Sequence, residues 1–129
     1  MTKDDSEKLY EIIKEQAQMF LLDAGEFYPF GSCVDKNNQL RPVGVYVDDE
    51  YPSALTVLSI LEKNVKKGVE EGNYKIAAIA LEVTIKENDV VYDAIEIRVF
   101  EDGVKDYKEY LGYHTYGTHI EFFQLNPSF

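Results

Sequence analysis

The chain has 129 residues, with 24 Asp or Glu against 13 Lys or Arg, which gives a formal net charge of −11 at pH 7. Apolar residues make up 45% of the sequence and there is one Cys, which excludes a disordered chain and a disulfide-stabilised scaffold. The acidic surplus argues against binding to nucleic acid phosphates. Length and composition therefore predict a single folded domain over residues 1–129.

The N-terminal segment predicts a cytoplasmic protein. Residues 1–14 are charged and polar, whereas a secretory signal has a basic start followed by an apolar run. The longest apolar stretch, residues 76–83, is interrupted by Glu82 and falls short of the roughly 20 residues that a membrane helix needs. We expect no membrane partner.

The first predicted element is an amphipathic helix over residues 5–22. Apolar side chains recur there at the spacing of one helical face, at Leu9, Ile12, Ile13, Ala17, Phe20 and Leu21. Asp4 and Asp5 suit the positive end of the helix dipole, and Gly25 is placed to end the helix. An aromatic-rich strand (26–34), a polar loop (35–39) and a second strand (40–47) follow. Pro29 and Pro42 predict that this hairpin lies at the periphery of the sheet.

A second helix is expected to begin around Pro52, since proline is tolerated in the first helical turn. Gly72 and Asn73 are placed to stop it. Its predicted buried stripe consists of Ala54, Leu55, Leu58, Leu61, Val65 and Val69.

From Tyr74 onward the apolar residues alternate, as they do in strands. The odd positions of residues 77–85 predict one apolar face, and the next strand repeats the design with Val91, Ile95, Ile97 and Val99 inward. Residues 86–90 are predicted as the hairpin loop, followed by strands over 107–113 and 118–125. The chain is thus predicted to be α+β, with a mostly antiparallel sheet of five to six strands and two helices in the order α-β-β-α-β-β-β-(β).

Arg98 is a candidate ligand-binding residue, because the chain has only two arginines. If the 86–90 loop sets Ile85 opposite Val91, then Arg98 and Glu96 lie near Ala78 and Ala80. The small alanines leave room for a covering helix or for a groove in which Arg98 would recognise a carboxylate or phosphate. The alternative is a solvated sheet face with weak cross-strand ion pairs.

Residues for catalysis are scarce. The sequence lacks glycine-rich phosphate loops, Cys-x-x-Cys, His-Glu-x-x-His and Gly-x-Ser-x-Gly, and it predicts no cofactor. His114, His119 and Glu121 are weak candidates for a metal site, although exposed histidines at a turn explain the pattern more simply. Cys33 is interpreted as a small buried residue rather than as a nucleophile activated by one of these histidines.

Acidic and tyrosine-rich segments are the predicted partner-binding residues. The acidic clusters flank the second helix at both ends, and tyrosines concentrate near the C-terminus, where an exposed aromatic surface suits an interface. The candidates, together with Arg98, are Asp48, Asp49, Glu50, Glu70, Glu71, Tyr107, Tyr110 and Tyr113.

The run Phe27-Tyr28-Pro29-Phe30-Gly31 after an amphipathic helix, with the later run from Asp93 to Val99, resembles a group of small bacterial α+β proteins. That group has no established activity, so the resemblance implies no catalytic residue. More loosely, the chain is similar to toxin-immunity proteins and to secretion-chaperone-like domains, which are non-catalytic binders.

The sequence therefore favours a cytoplasmic, non-catalytic module that binds a protein partner through an acidic surface. Two alternatives stay open: a small metal-dependent hydrolase or ligand-binding enzyme using His114 and His119, and a homodimer whose aromatic face serves only assembly.

Overall fold

A six-stranded antiparallel sheet and two helices make up the computed structural model, which describes residues 4–48 and 50–127. The order of elements confirms the predicted α+β fold, including the sixth strand. The elements are α1 (Asp5–Ala24), β1 (Phe30–Asp35), β2 (Leu40–Val43), α2 (Ala54–Glu70), β3 (Tyr74–Glu87), β4 (Val90–Glu101), β5 (Val104–Tyr116) and β6 (His119–Leu125).

The strand order across the sheet is β2-β1-β3-β4-β5-β6, and every neighbouring pair is antiparallel. The first hairpin lies at the periphery, as predicted. Pro42 is in the four-residue edge strand β2, where a missing ladder donor is tolerated, and Pro29 immediately precedes β1.

The two helices cover opposite faces of the sheet. The α1 side of the core includes Leu9 and Ile13 packed with Ala78 and Ile97, whereas the α2 side includes Leu61 packed with Ile79. The expectation that β3 has a single apolar face is therefore wrong. A strand between two helical layers is buried on both faces, and alanines at 78 and 80 let α1 approach closely.

The β3–β4 hairpin has a two-residue turn instead of the predicted loop over residues 86–90. Glu87 pairs with Val90, and Asn88 and Asp89 both have positive φ angles, of 51° and 63°, as a tight hairpin turn requires. Ile85 consequently lies opposite Tyr92 rather than Val91. A shift of one residue reverses faces, so Arg98 lies opposite Ile79 and not beside the alanines.

The first helix is confirmed with two differences: it continues to Ala24 instead of ending at residue 22, and Phe20 of its predicted apolar face is 41% exposed. The Asp4 carboxylate accepts a hydrogen bond from the Glu7 N–H at the N-cap, and Gly25 ends the helix in the left-handed conformation with φ 76°.

The second helix starts later than predicted, because Ser53 caps it and Pro52 lies outside the first turn. Its buried stripe is Val57, Leu61, Val65, Gly68 and Val69, so the expected burial of Ala54 and Leu55 is wrong. Neither α1 nor α2 is long and apolar enough to cross a membrane.

Candidate functional site

A surface groove lies where the chain enters the sheet. Residues 26–29, which connect α1 to β1, form part of its wall, and the first two turns of α2 contribute Ala54, Leu55 and Leu58. Leu81 and Glu82 of β3 also line it, and its volume is about 670 Å³. We call this feature the Tyr28 groove. It is assembled from three segments that are distant in the sequence.

The Tyr28 groove is bordered by large apolar side chains that remain in contact with water. Leu55 is 77% exposed and Tyr28 is 53% exposed. Single exposed apolar residues are ordinary, but neighbouring ones in a concave surface are typical of an interaction site. Leu55 is exposed because α2 packs on the sheet through a stripe that includes Val57 and Leu61, and at about 100° per residue Leu55 lies on another side of the helix.

Glu82 places a negative charge in this groove with its Oε1 atom buried. Among the described residues, this Oε1 is the buried side-chain oxygen or nitrogen that has no hydrogen-bond partner. Burial raises the pKa of Glu82, the Phe27 backbone N–H opposes this, and the charges of Glu26 and Asp93 raise the pKa further. The Phe27 N–H thus offsets only part of the desolvation of this carboxylate, and its Oε1 atom has no donor or cation beside it.

The second half of β3 has an open edge beside the groove. β1 pairs with β3 only as far as Ala80, whereas β4 continues to Glu87. Of the strands that the structure describes, none pairs with residues 81–87 on the side away from β4. Alternate backbone N–H and C=O groups along this segment therefore face outward.

The acidic candidates around α2 are divided between its two ends. Asp48 and Glu50 precede the helix, at the end where Ala54 and Leu55 line the groove, while Asp49 lies outside the described residues. Glu70 and Glu71 lie at the other end of this 17-residue helix, about 25 Å away. One compact partner site can include only the first set.

Arg98 is held by carboxylates of its own chain. Its Nε donates to Glu96 Oε2 at 2.7 Å, and its Nη1 pairs with Glu62, which α2 supplies from above the sheet. Tyr110 Oη donates to Glu96 Oε1 at 2.8 Å. Burial raises the pKa of Glu96, but the hydrogen bonds from Arg98 and Tyr110 outweigh it and hold that pKa below its usual value. Helix α2 therefore covers Arg98 and occupies the space in which a ligand groove was one of the two predicted alternatives.

The three candidate tyrosines do not share one surface. Tyr110 lies on the α2 side, and burial together with its bond to Glu96 raises its pKa to about 12. Tyr113 packs against the α1 side of the core, where burial and the charges of Glu82 and Asp93 raise its pKa to about 12. Tyr107 lines a separate cavity with Ser6 and Tyr10 of α1.

The two histidines lie at the exposed end of the β5–β6 hairpin. His114 is opposite Glu121 and stacks on Phe123 with ring centroids 5.0 Å apart, while His119 stacks on Tyr116 at 5.3 Å. The part of the chain that the structure describes contains no group of three His, Cys, Asp or Glu side chains arranged to hold a metal ion. Both imidazoles are instead stacked on neighbouring aromatic rings.

Cys33 is 1% exposed on β1, on the α2 side of the sheet. Burial and the charge of Asp35 raise its pKa, which favours the thiol over the thiolate. His114 is on β5, three strand spacings or about 14 Å away across the sheet, and it is also displaced along the strand direction, since Cys33 aligns with Phe100 whereas Tyr107 of β5 is opposite Val99. The structure does not bring the thiol and the imidazoles together.

Comparison with protein-family models, curated proteins and solved structures finds no match to this chain. The features of the chain that bear on its function are therefore the groove, the open strand edge and the net charge.

Proposed function

We propose that this protein is a non-catalytic binding module that docks a basic protein partner at the Tyr28 groove. The observation that carries the proposal is the coincidence of an exposed apolar wall, at Tyr28 and Leu55, with the buried, unpartnered oxygen of Glu82. Apolar contact would supply affinity, and a cation would satisfy the carboxylate.

The charge of the molecule supports a basic partner. Glu26 and Glu82 line the groove, Asp48 and Glu50 precede the helix that forms one of its walls, and the whole chain carries −11. Fields of this kind accelerate association with an oppositely charged surface. Immunity proteins and secretion chaperones, the binders that the sequence loosely resembles, would use such a surface in this way.

The alternative of a metal-dependent enzyme gains no support from His114 and His119, since both rings stack on aromatic neighbours. Assembly into a homodimer would also cover an apolar groove. It differs from the proposal in one respect: the occupant would carry the same negative charge as the protein.

Variants at the groove test the proposal. We expect the tagged wild-type chain to retain a basic protein from a lysate of its source organism, and Leu55→Ser to retain less of it by about tenfold, since one leucine contributes about 1.5–3 kcal/mol on burial. Quantitative mass spectrometry of the retained proteins provides the measurement.

Val104→Ser is the matched control, because Val104 is an exposed apolar residue, 48% accessible, at the β4–β5 turn. Both side chains belong to the exposed class and neither is part of the buried core, so both variants should fold. Equal retention by both variants, or retention only of further copies of this chain, would contradict a basic partner at the groove.

A further inference from the structure

We propose that the partner contributes an extended segment that pairs with residues 81–87 as an added strand and places a Lys or Arg side chain against Glu82. This inference rests on the proposed function and specifies how the partner is recognised. Strand addition provides backbone hydrogen bonds that need no particular sequence, and the side-chain contacts then determine specificity.

The open segment of β3 is suited to such an addition. Its other side is paired continuously with β4 through Glu87, so its backbone is already held in strand geometry. An added strand would continue the position that β1 occupies beside the first half of β3 and would begin at the groove. Ordering of the acceptor strand therefore costs little on binding.

The other unpaired edges are less suitable. β2 has four residues and includes Pro42, which has no N–H to donate. β6 is longer, but the Tyr28 groove is lined by Ala24, residues 26–29, α2 and β3, and β6 contributes nothing to it. Among the described edges, the open segment of β3 combines unpaired backbone with an apolar groove.

Charge selects a basic segment. Glu26 and Asp93 lie close enough to Glu82 to raise its pKa, and Glu87 ends the strand, whereas Lys86 is the cation of this segment. A Lys or Arg side chain would give the buried Oε1 of Glu82 a partner, and an acidic segment would be repelled.

Synthetic peptides provide a direct test on the full chain. The probe is an N-acetylated, C-amidated peptide of alternating Val and Thr with one central Lys, and its matched control has Glu in place of Lys. Titration followed by NMR should show the Lys peptide binding at least about tenfold more tightly than the Glu peptide. Bound peptide should slow hydrogen exchange of the amides in residues 83–87.

Two variants of the protein show whether the charge of Glu82, and not only the shape of the groove, determines the preference for the Lys peptide. Glu82→Gln should reduce the preference for the Lys peptide, while Glu70→Gln, at the far end of α2, should leave it unchanged. A third peptide with Pro at alternate positions should not bind, since it cannot donate to the ladder. Equal affinity for the Lys and Glu peptides, binding by neither, or protection of β6 instead of β3 would overturn the inference.

Failure of strand addition is distinguishable from failure of the proposed function. If the retained partner depends on Leu55 but leaves the amides of residues 83–87 exchanging freely in the complex, strand addition is wrong and docking at the groove stands. If Leu55→Ser retains the partner fully, the proposed function is wrong, whatever the peptides show.

Discussion

At the scale of single residues, the proposed docking of a basic partner depends most on Glu82. Within the sequence it is the interruption in an otherwise apolar run, residues 76–83. In the structure it lines the Tyr28 groove with its Oε1 atom buried. A carboxylate in that position costs stability unless it is protonated or paired.

The pH dependence of stability tests this description. Because burial raises the pKa of Glu82 above the ordinary 4.5, the folded state binds this proton more tightly than the unfolded state does. The contribution of this group to stability is therefore most favourable below the ordinary value and is lost as the pH rises through the raised value. The variant Glu82→Gln lacks this loss, so its stability relative to wild type should increase between about pH 4 and about pH 7.

Urea unfolding at the two pH values measures this difference. Glu70→Gln, at an exposed position, controls for the removal of one negative charge from an acidic molecule. A stability difference between Glu82→Gln and wild type that is the same at both pH values, or that decreases as the pH rises, would contradict a raised pKa of Glu82 in the folded state.

At the scale of elements, the packing of α2 on β3 determines where the groove forms. Gly68, in the last turns of α2, lies beneath the ring of Tyr74, and a Cβ atom at Gly68 would be 2.3 Å from Tyr74 Cδ2 and 3.0 Å from its Cγ. The helix can follow this path only because position 68 has no side chain. Its opposite end then presents Ala54, Leu55 and Leu58 to the groove.

Gly68→Ala tests this packing. The substitution gains about 1 kcal/mol of helix propensity but overpacks the contact with Tyr74, at a cost of about 1–3 kcal/mol. We expect a net decrease in the free energy of unfolding by thermal or urea denaturation. In Gly44→Ala, the matched control, the new Cβ meets nothing within 4 Å, so its stability should stay within about 0.5 kcal/mol of wild type. A variant Gly68→Ala as stable as wild type would contradict the close packing.

The elements also show what the sequence can predict. Hydrophobic periodicity located α1 and the strands because each signal is local. Periodicity does not predict which residues of β3 and β4 lie opposite one another. The turn at Asn88 and Asp89 shifts the register by one residue, and this places Arg98 on the other face of the sheet from the predicted one. The polar residues around the turn do not reveal which two of them form it. In the first turn of α2 the apolar residues Ala54, Leu55 and Val57 allow more than one choice of buried face, and the sheet covers the one that contains Val57.

The groove itself could not be derived from local patterns, because its three segments meet only in the folded chain. Two signals were present in the sequence: the aromatic run containing Tyr28 and the isolated Glu82. The predicted roles of Arg98 and of Tyr107, Tyr110 and Tyr113 in partner binding stay predictions, although these side chains lie on different faces and Arg98 is already paired.

At the scale of the whole molecule, the charge of −11 distinguishes a basic partner from a second copy of the chain. Attraction between exposed opposite charges weakens as salt shortens the Debye length from about 10 Å at 0.1 M to about 3 Å at 1 M. Repulsion between two acidic copies weakens in the same range, so salt would strengthen a homodimer. The two occupants therefore respond to salt in opposite directions.

The most direct test of docking at the Tyr28 groove is the dissociation constant of the purified partner, measured by calorimetry for wild type and Leu55→Ser at low and at high salt. The account predicts that the wild-type dissociation constant increases with salt and that Leu55→Ser increases it by about a further tenfold at each salt concentration. A dissociation constant that decreases with salt, or that is the same for wild type and Leu55→Ser, would contradict it.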